Sequence, residues 1–494
     1  GMPAAPEGSR RGGGMRRKAA PAAARRSPKF LRRIKANKSL SRKVGGSGAA
    51  LGGLLPKEVP GLPVEEMRAE FEAMVEKGRW PGFVSCAFTG EGRLENCVFS
   101  CVGGKADVAR GGAMGMDTIF RLYSMTKAFI GLGILKFVEK GQLRLDDPVY
   151  KHLPEPVAGR FREPRVVVEQ ADGPSTEPAH SAITILQLLT HTSGMGSDIA
   201  TGLDALTRKR TRWESMYEDL TAAVDEGRIR TLSEFAEELS KLPLWQHPGR
   251  EFYYSYGYDM LGFILEHKSG LSLDAFLRRE VFQPLGMGDT GFSVPARKAG
   301  RLARLYRHTK ACRFGASGAR AELRPVENGF VEGRHCTVLS GGGCVSSRDG
   351  GLTSTIRDYS KFLVAVFNKG VVPGSRQRLF SEASAEILLT NHCAKVAGLR
   401  PDGAPNICAH NRKGVGLNMM GEVQLEGCEP DKNCLWFDGV PGMVQWGGAA
   451  TTFYKYQFVN GRPLLLIVFS QVLPQDDGRS CSANFKRMRA WAEA

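Results

Sequence analysis

Residues Arg121–Gly141 read RLYSMTKAFIGLGILKFVEKG. A hydroxyl, Ser124, stands three residues ahead of an amine, Lys127. Positions i and i+3 of a helix share a face, so a helix here points both side chains into one space. The segment after them, Ala128 to Leu135, is apolar on every side, the pattern of a buried helix. Gly141 supplies a C-terminal stop. The expectation is a central helix that opens at Ser124 and presents a serine and a lysine to a cleft.

Such a pair suits nucleophilic chemistry. A serine hydroxyl becomes a useful nucleophile when a base removes its proton, and an uncharged amine can be that base. Burial favours the uncharged form of an amine, and the partly positive end of a helix favours a developing oxyanion. Ser-x-x-Lys by itself is a common spacing. Here Ser124 is the one serine with a lysine three residues on, and no Gly-x-Ser-x-Gly offers a competing elbow.

Charge removes other readings. The chain carries a net +17 over 494 residues, but residues 1–44 hold 14 of the Lys and Arg against one acid, Glu7. The remaining 450 residues are close to neutral, so the folded part lacks the basic face that nucleic-acid binding needs. The basic segment, rich in Arg, Ala, Gly and Ser, has the make-up of an organellar transit peptide or of a solvated arm. It lacks the apolar stretch of a secretory signal. No run of eighteen apolar residues occurs, so no transmembrane helix is expected. The eleven cysteines form no Cys-x-x-Cys and meet no His at zinc spacing, which points to free thiols in an intracellular, reducing compartment and to no metal or organic cofactor.

Working outward, residues 1–60 read as a basic tail and linker, and 61–494 as one large folded domain. Val64 to Gly78 has helical spacing. Phe83–Phe88 and Cys97–Val102 flank a Thr-Gly-Glu-Gly turn, a hairpin signal. Residues 155–182 are rich in Pro and charge and read as a surface excursion. Ile183–Gly194, 201–241, Tyr258–Leu285 and Thr355–Asn368 read as helical. Val444–Trp446, Thr451–Phe458 and Pro463–Ser470 read as strands, and about Ala483–Ala494 as a last helix.

Two further stretches carry chemistry. Tyr253-Tyr254-Ser255-Tyr256-Gly257 offers phenols that an amine could hold as a base, or an aromatic core cluster. Gln445-Trp446-Gly447-Gly448-Ala449 places paired glycines at a strand edge, where a substrate can approach closely, or where a strand simply bends.

Taken in order, Ser124-Met125-Thr126-Lys127, Tyr254-Ser255-Tyr256 and Trp446-Gly447-Gly448 resemble the three motifs of serine β-lactamases, D-alanyl-D-alanine peptidases and family VIII carboxylesterases. The resemblance extends over about residues 64–490. It includes ITILQLLTHTSG, YYSYGYDMLGFILE, VFQPLGMGDTGF and GGLTSTIRDYSKF. It implies an α+β fold, an antiparallel sheet flanked by helices with an inserted helical region, the α/β part taking about 61–145 and 326–494 and the mainly helical insert about 146–325. It also implies Ser124 as the acylated nucleophile, Lys127 and Tyr254 as the base, and the amides of Ser124 and Ala449 as the oxyanion hole. Tyr256, Trp446, Gly447 and Gly448 would line the substrate.

Two departures point toward esters. The cation that the family's third motif offers to a substrate carboxylate is replaced by Trp446, and the Asn of the second motif by Tyr256. A site without those contacts has no means of favouring anionic amides. The resemblance therefore implies a small-molecule ester as substrate, hydrolysis through an acyl-enzyme, and weak or no β-lactam turnover. Acyl transfer to an alcohol, β-lactam or D-Ala peptide hydrolysis, and a catalytically silent scaffold stay open.

Overall fold

The computed structural model describes residues 55–170, 173–197, 212–308, 322–326, 342, 351–397, 412–429, 438–475 and 478–494. The basic segment 1–44, Cys344 and most of the glycine-dense stretch 336–352 lie outside them.

In chain order the main elements are α1 (Val64–Glu76), β1 (Gly82–Thr89), β2 (Asn96–Asp107), β3 (Gly112–Ala113) and α2 (Lys127–Glu139). A hairpin, β4 (Arg165–Gln170) and β5 (Gly173–Pro178), precedes α3 (Ile185–Leu189), α4 (Arg212–Asp225), α5 (Leu232–Ser240), α6 (Gly257–Ser269) and α7 (Leu273–Leu277). Then come α8 (Ile356–Phe367), α9 (Glu382–Leu389), β6 (Val415–Leu417), β7 (Glu422–Gln424), β8 (Val444–Gly448), β9 (Thr452–Val459), β10 (Arg462–Phe469) and α10 (Arg479–Glu493).

Eight strands form one antiparallel sheet in the order β6-β7-β8-β9-β10-β1-β2-β3. The first and last segments of the chain thus meet at its centre, where β10 pairs with β1. The sequence of β10, RPLLLIVF, explains its place. Leu464 to Phe469 are fully buried, so both faces of the strand are covered. Burying each such side chain contributes about 1.5–3 kcal/mol.

Helices cover both faces. On one side Phe71 of α1 packs against Phe83 and Phe99. Asn484 of α10 donates to the Met67 carbonyl of α1. On the other side Tyr359 of α8 packs against Phe469 and Tyr454. Helix α2 is buried nearly all round, as its composition requires. Gly131 and Gly133 let neighbours close in: a Cβ on Gly133 would come 2.8 Å from Leu265 of α6. The helical region and the sheet share one continuous hydrophobic cluster.

Three elements differ from the sequence reading. Ser124 lies in a 3-10 turn, Tyr123–Thr126, and the α-helix begins at Lys127. Tyr123 has φ +48°, a strained value for a bulky residue, and that bend sets the tighter turn. The excursion 155–182 holds a short helix, Val157–Arg162, and the hairpin β4–β5. Three consecutive valines, 166–168, supply the strand propensity that its Pro and charge content masks. The last helix also starts four residues before the expected Ala483, at Arg479.

Candidate active site

Three elements converge on Ser124. The 3-10 turn carries the serine and α2 begins with Lys127. The Tyr253–Tyr256 turn before α6 brings Tyr254, and β8 brings Trp446, Gly447 and Gly448. The Oγ of Ser124 lies 2.6 Å from the Tyr254 hydroxyl. The Lys127 Nζ donates to Ser124 Oγ across 3.3 Å and stands 4.5 Å from the centre of the Tyr254 ring. All three side chains are buried, Lys127 to 3% exposure. The amine therefore meets protein groups in place of bulk water. It also donates to the carbonyl of Gly342 at 2.5 Å.

Each member is held from behind. Gly342 donates its N–H to the buried carboxylate of Asp259, 2.9 Å away, so Asp259 fixes the carbonyl that receives Lys127. His191 has a left-handed backbone, φ +54°, and is fully buried. Its ring stacks on Tyr254 with centroids 4.4 Å apart, and its Nδ1 accepts the N–H of Ser255 at 3.1 Å. Its own carbonyl accepts the N–H of Tyr253. Ser197 donates to the Tyr254 carbonyl. Burial, and then the nearness of Tyr254, push the neighbouring Tyr258 phenol well above its ordinary range, so Tyr258 stays protonated. It donates to the Leu189 carbonyl.

Sequence reasoning missed His191 and Asp259 as parts of this site. Both lie inside stretches that carry the family resemblance, Thr190-His191-Thr192-Ser193-Gly194 and Tyr258-Asp259-Met260. A lone His before a Thr-Ser-Gly turn and a lone Asp near a helix start were the available signals.

Strand β8 closes the third side. The indole N–H of Trp446 donates to the Ser124 carbonyl oxygen at 3.0 Å. A Cβ on Gly448 would overlap the Leu122 carbonyl oxygen, so glycine lets the strand end lie against the serine's turn. Ala449 follows at once and packs with Tyr123, Leu305, Ala450 and Leu473. Gly447, partly exposed, pairs with Phe453 of β9. Tyr256 departs from the expected substrate contact. It is 1% exposed, its hydroxyl meets Thr221, and its ring packs on Tyr217 and Phe235. An apolar ring in that position gains more from the core between α4, α5 and α6 than from a cleft.

The geometry of this site agrees with a family match. The Beta-lactamase family model covers residues 67–484. The chain belongs to the beta-lactamase family.

Among relatives in this family, Esterase EstB of Burkholderia gladioli is 39% identical over 192 residues, 38% of this chain and 42% of EstB. Acyltransferase mokF of Monascus pilosus is 30% identical over 240 residues, 47% of this chain and 53% of mokF. The solved structure of EstCE1, titled a hydrolase with promiscuous acyltransferase activity, superposes with a TM-score of 0.56 at 20% identity. It spans 87% of this chain and 98% of EstCE1. The fold is the beta-lactamase-type antiparallel sheet with helices. Among the described residues no helix is long and apolar enough to cross a membrane.

Proposed function

We propose that this beta-lactamase-family chain hydrolyses carboxylic esters through an acyl-enzyme on Ser124. The observation that carries the proposal is the 2.6 Å approach of the Tyr254 hydroxyl to Ser124 Oγ, with Lys127 Nζ 3.3 Å from the same oxygen. A nucleophile within hydrogen-bond reach of a base, and a base held by further groups, is the arrangement acyl transfer needs.

In the proposed sequence Ser124 Oγ attacks the ester carbonyl while its proton passes to the Tyr254–Lys127 pair. The amides of Ser124 and Ala449 receive the oxyanion. As the tetrahedral adduct collapses, the C–O bond breaks and Tyr254 returns the proton to the leaving alcohol. Water then takes the alcohol's place, gives a proton to the same pair and attacks the acyl carbonyl. Ser124 leaves and recovers its proton. Gly448 lets the end of β8 lie against the turn that carries Ser124, and Gly447, partly exposed beside it, lines the approach to the serine.

Two placements support esters over anionic amides. The polar atom of Trp446 is engaged by the Ser124 carbonyl, and Tyr256 is committed to Thr221 and the helical core. Neither position supplies a cation or an amide contact to a substrate carboxylate. The match to Esterase EstB agrees with this choice. A second reading, transfer of the acyl group to an alcohol in place of water, draws support from the match to Acyltransferase mokF, because the same residues serve both reactions.

The test is turnover of p-nitrophenyl butyrate beside nitrocefin, with and without an added alcohol. Ester cleavage with little nitrocefin turnover supports the proposal. Strong nitrocefin turnover without ester cleavage overturns it, and butyryl-alcohol outpacing butyrate assigns transfer.

A further inference from the structure

A second group of chemically active side chains lies on the helical region, where the hydrolytic reading uses none of them. Glu177 is the next-to-last residue of β5, His180 follows three residues later, and His247 comes from the loop after Leu244. One donor atom from each lies within 4.8 Å of the others. The His247 Nε2 is 3.1 Å from a Glu177 oxygen. The two imidazoles stack face to face, centroids 3.5 Å apart and planes within 10°.

We propose that Glu177, His180 and His247 form a binding site for one divalent first-row transition ion, with zinc as the natural fit. Two imidazole nitrogens and a carboxylate oxygen are a donor set that suits zinc, with a fourth position open to water. Donors bonded at about 2.0–2.2 Å in a tetrahedron stand roughly 3.4 Å apart, and because the stacked rings hold their in-plane lone pairs side by side, the His180 ring must turn out of the stack to bring its nitrogen to the ion. His180 is exposed and Glu177 half-exposed, which leaves both free to make that adjustment.

The backbone already brings the three together. Leu244 bridges to Val166 of β4, and Val166 pairs with Glu177 of β5. The loop carrying His247 is thus anchored beside the hairpin that carries the other two donors. Without an ion, the His247 Nδ1 accepts the His180 backbone N–H at 3.3 Å, so a neutral His247 carries its proton on Nε2 and gives it to Glu177. When the ion takes Nε2, that proton moves to Nδ1, the long contact from His180 is given up, and the carboxylate turns from acceptor to ligand. No net proton is released from the neutral ring.

Position gives the site a consequence. The segment from Leu244 runs through His247 and Gly249 into Tyr253 and Tyr254, and Gly249 donates to Thr192 beside His191. A bound ion clamps the hairpin to the segment that carries the phenol of the candidate active site. It acts as a structural clip, and ester cleavage continues without it.

The experiment titrates ZnCl2 into chelator-stripped full-length protein by calorimetry, with Co2+ absorption as a geometric readout. Expected is one equivalent bound, a tetrahedral Co2+ spectrum, and a thermal midpoint that rises with zinc. Affinity falls at least tenfold in H180A, E177Q and H247A. His180 is exposed, so H180A keeps the fold and the comparison stands even if H247A folds poorly. Absence of binding at 100-fold molar excess, or equal affinity in H180A and E177Q, overturns the proposal.

Discussion

The indole N–H of Trp446 holds the main-chain carbonyl of Ser124 across 3.0 Å, tying β8 to the turn that carries the proposed nucleophile. A tryptophan in the place of the family's cation thus braces the serine. Trp446→Phe keeps most of the ring and removes the donor. The Ser124 carbonyl keeps the backbone N–H of Lys127 but loses its indole donor, a bond contributing about 1 kcal/mol. We expect W446F to lower kcat for p-nitrophenyl butyrate about tenfold with little change in KM. An unchanged kcat would show that the bond has no part in catalysis.

His191 brackets Tyr254 through a stacked ring and a bond to the next amide. His191→Phe retains an aromatic surface and loses the acceptor for Ser255. The expected result is a kcat loss of about tenfold or more and a lower Tm, since a buried N–H is stranded at a cost of about 1–3 kcal/mol. A wild-type pH–rate profile in H191F with a normal rate contradicts this role.

Asp259 acts through Gly342 on Lys127. Asp259→Ala frees the Gly342 amide and loosens the carbonyl that orients the amine. Because Lys127 belongs to the proposed base, D259A should shift a limb of the kcat/KM profile against pH, whereas a purely structural role would change Tm and leave the profile in place. Asp259→Asn, which keeps an acceptor oxygen, should restore much of the rate.

Gly448 has no room for a side chain beside Leu122 and Thr452. Gly448→Ala must push β8 off the serine's turn. A displacement near 1 Å can cost about 100-fold in rate. We expect G448A to lose that much activity while circular dichroism shows the fold retained. Full activity would place the strand end away from the reacting atoms.

Asp289 gives a pH prediction. Burial raises its carboxyl, but bonds from Arg301 and Lys298 outweigh that and hold it below the usual carboxylate range. With a folded value below the unfolded one, its stabilising contribution is present above about pH 4 and is lost as pH falls through the folded value. Asp289→Asn should lower stability at pH 7 by about 1 kcal/mol, given its partial exposure, and should flatten the loss of stability in acid. Urea unfolding at pH 7 and pH 3 measures both.

What the sequence made legible follows from how local each signal is. The strands Val444–Gly448, Thr452–Val459 and Arg462–Phe469 are short runs rich in aromatic, β-branched or aliphatic residues and separated by turns, the last nearly all apolar, and each lies within two residues of expectation. Ser124, Lys127 and Tyr254 were legible because their types and spacing carry chemistry, and the structure brings the three together. The 3-10 entry at Tyr123 was not, because a positive φ on a bulky residue is imposed by tertiary packing against Leu305, Ala450 and Leu473. Tyr256 misled for the same reason. Motif position suggests a cleft, but only packing reveals that its ring faces Tyr217 and Phe235. His191 and Asp259 act through contacts 63 and 83 residues away in the chain, beyond any local pattern.

The most direct measurement is the location of the acyl group after rapid quenching of the reaction with p-nitrophenyl butyrate, read by mass spectrometry of the digested protein. The account predicts a butyryl group on the peptide that contains Ser124. It also predicts loss of that label in Ser124→Ala and strongly slowed labelling in Tyr254→Phe. Turnover at the wild-type rate in S124A, or a butyryl group carried by a different residue, would contradict it.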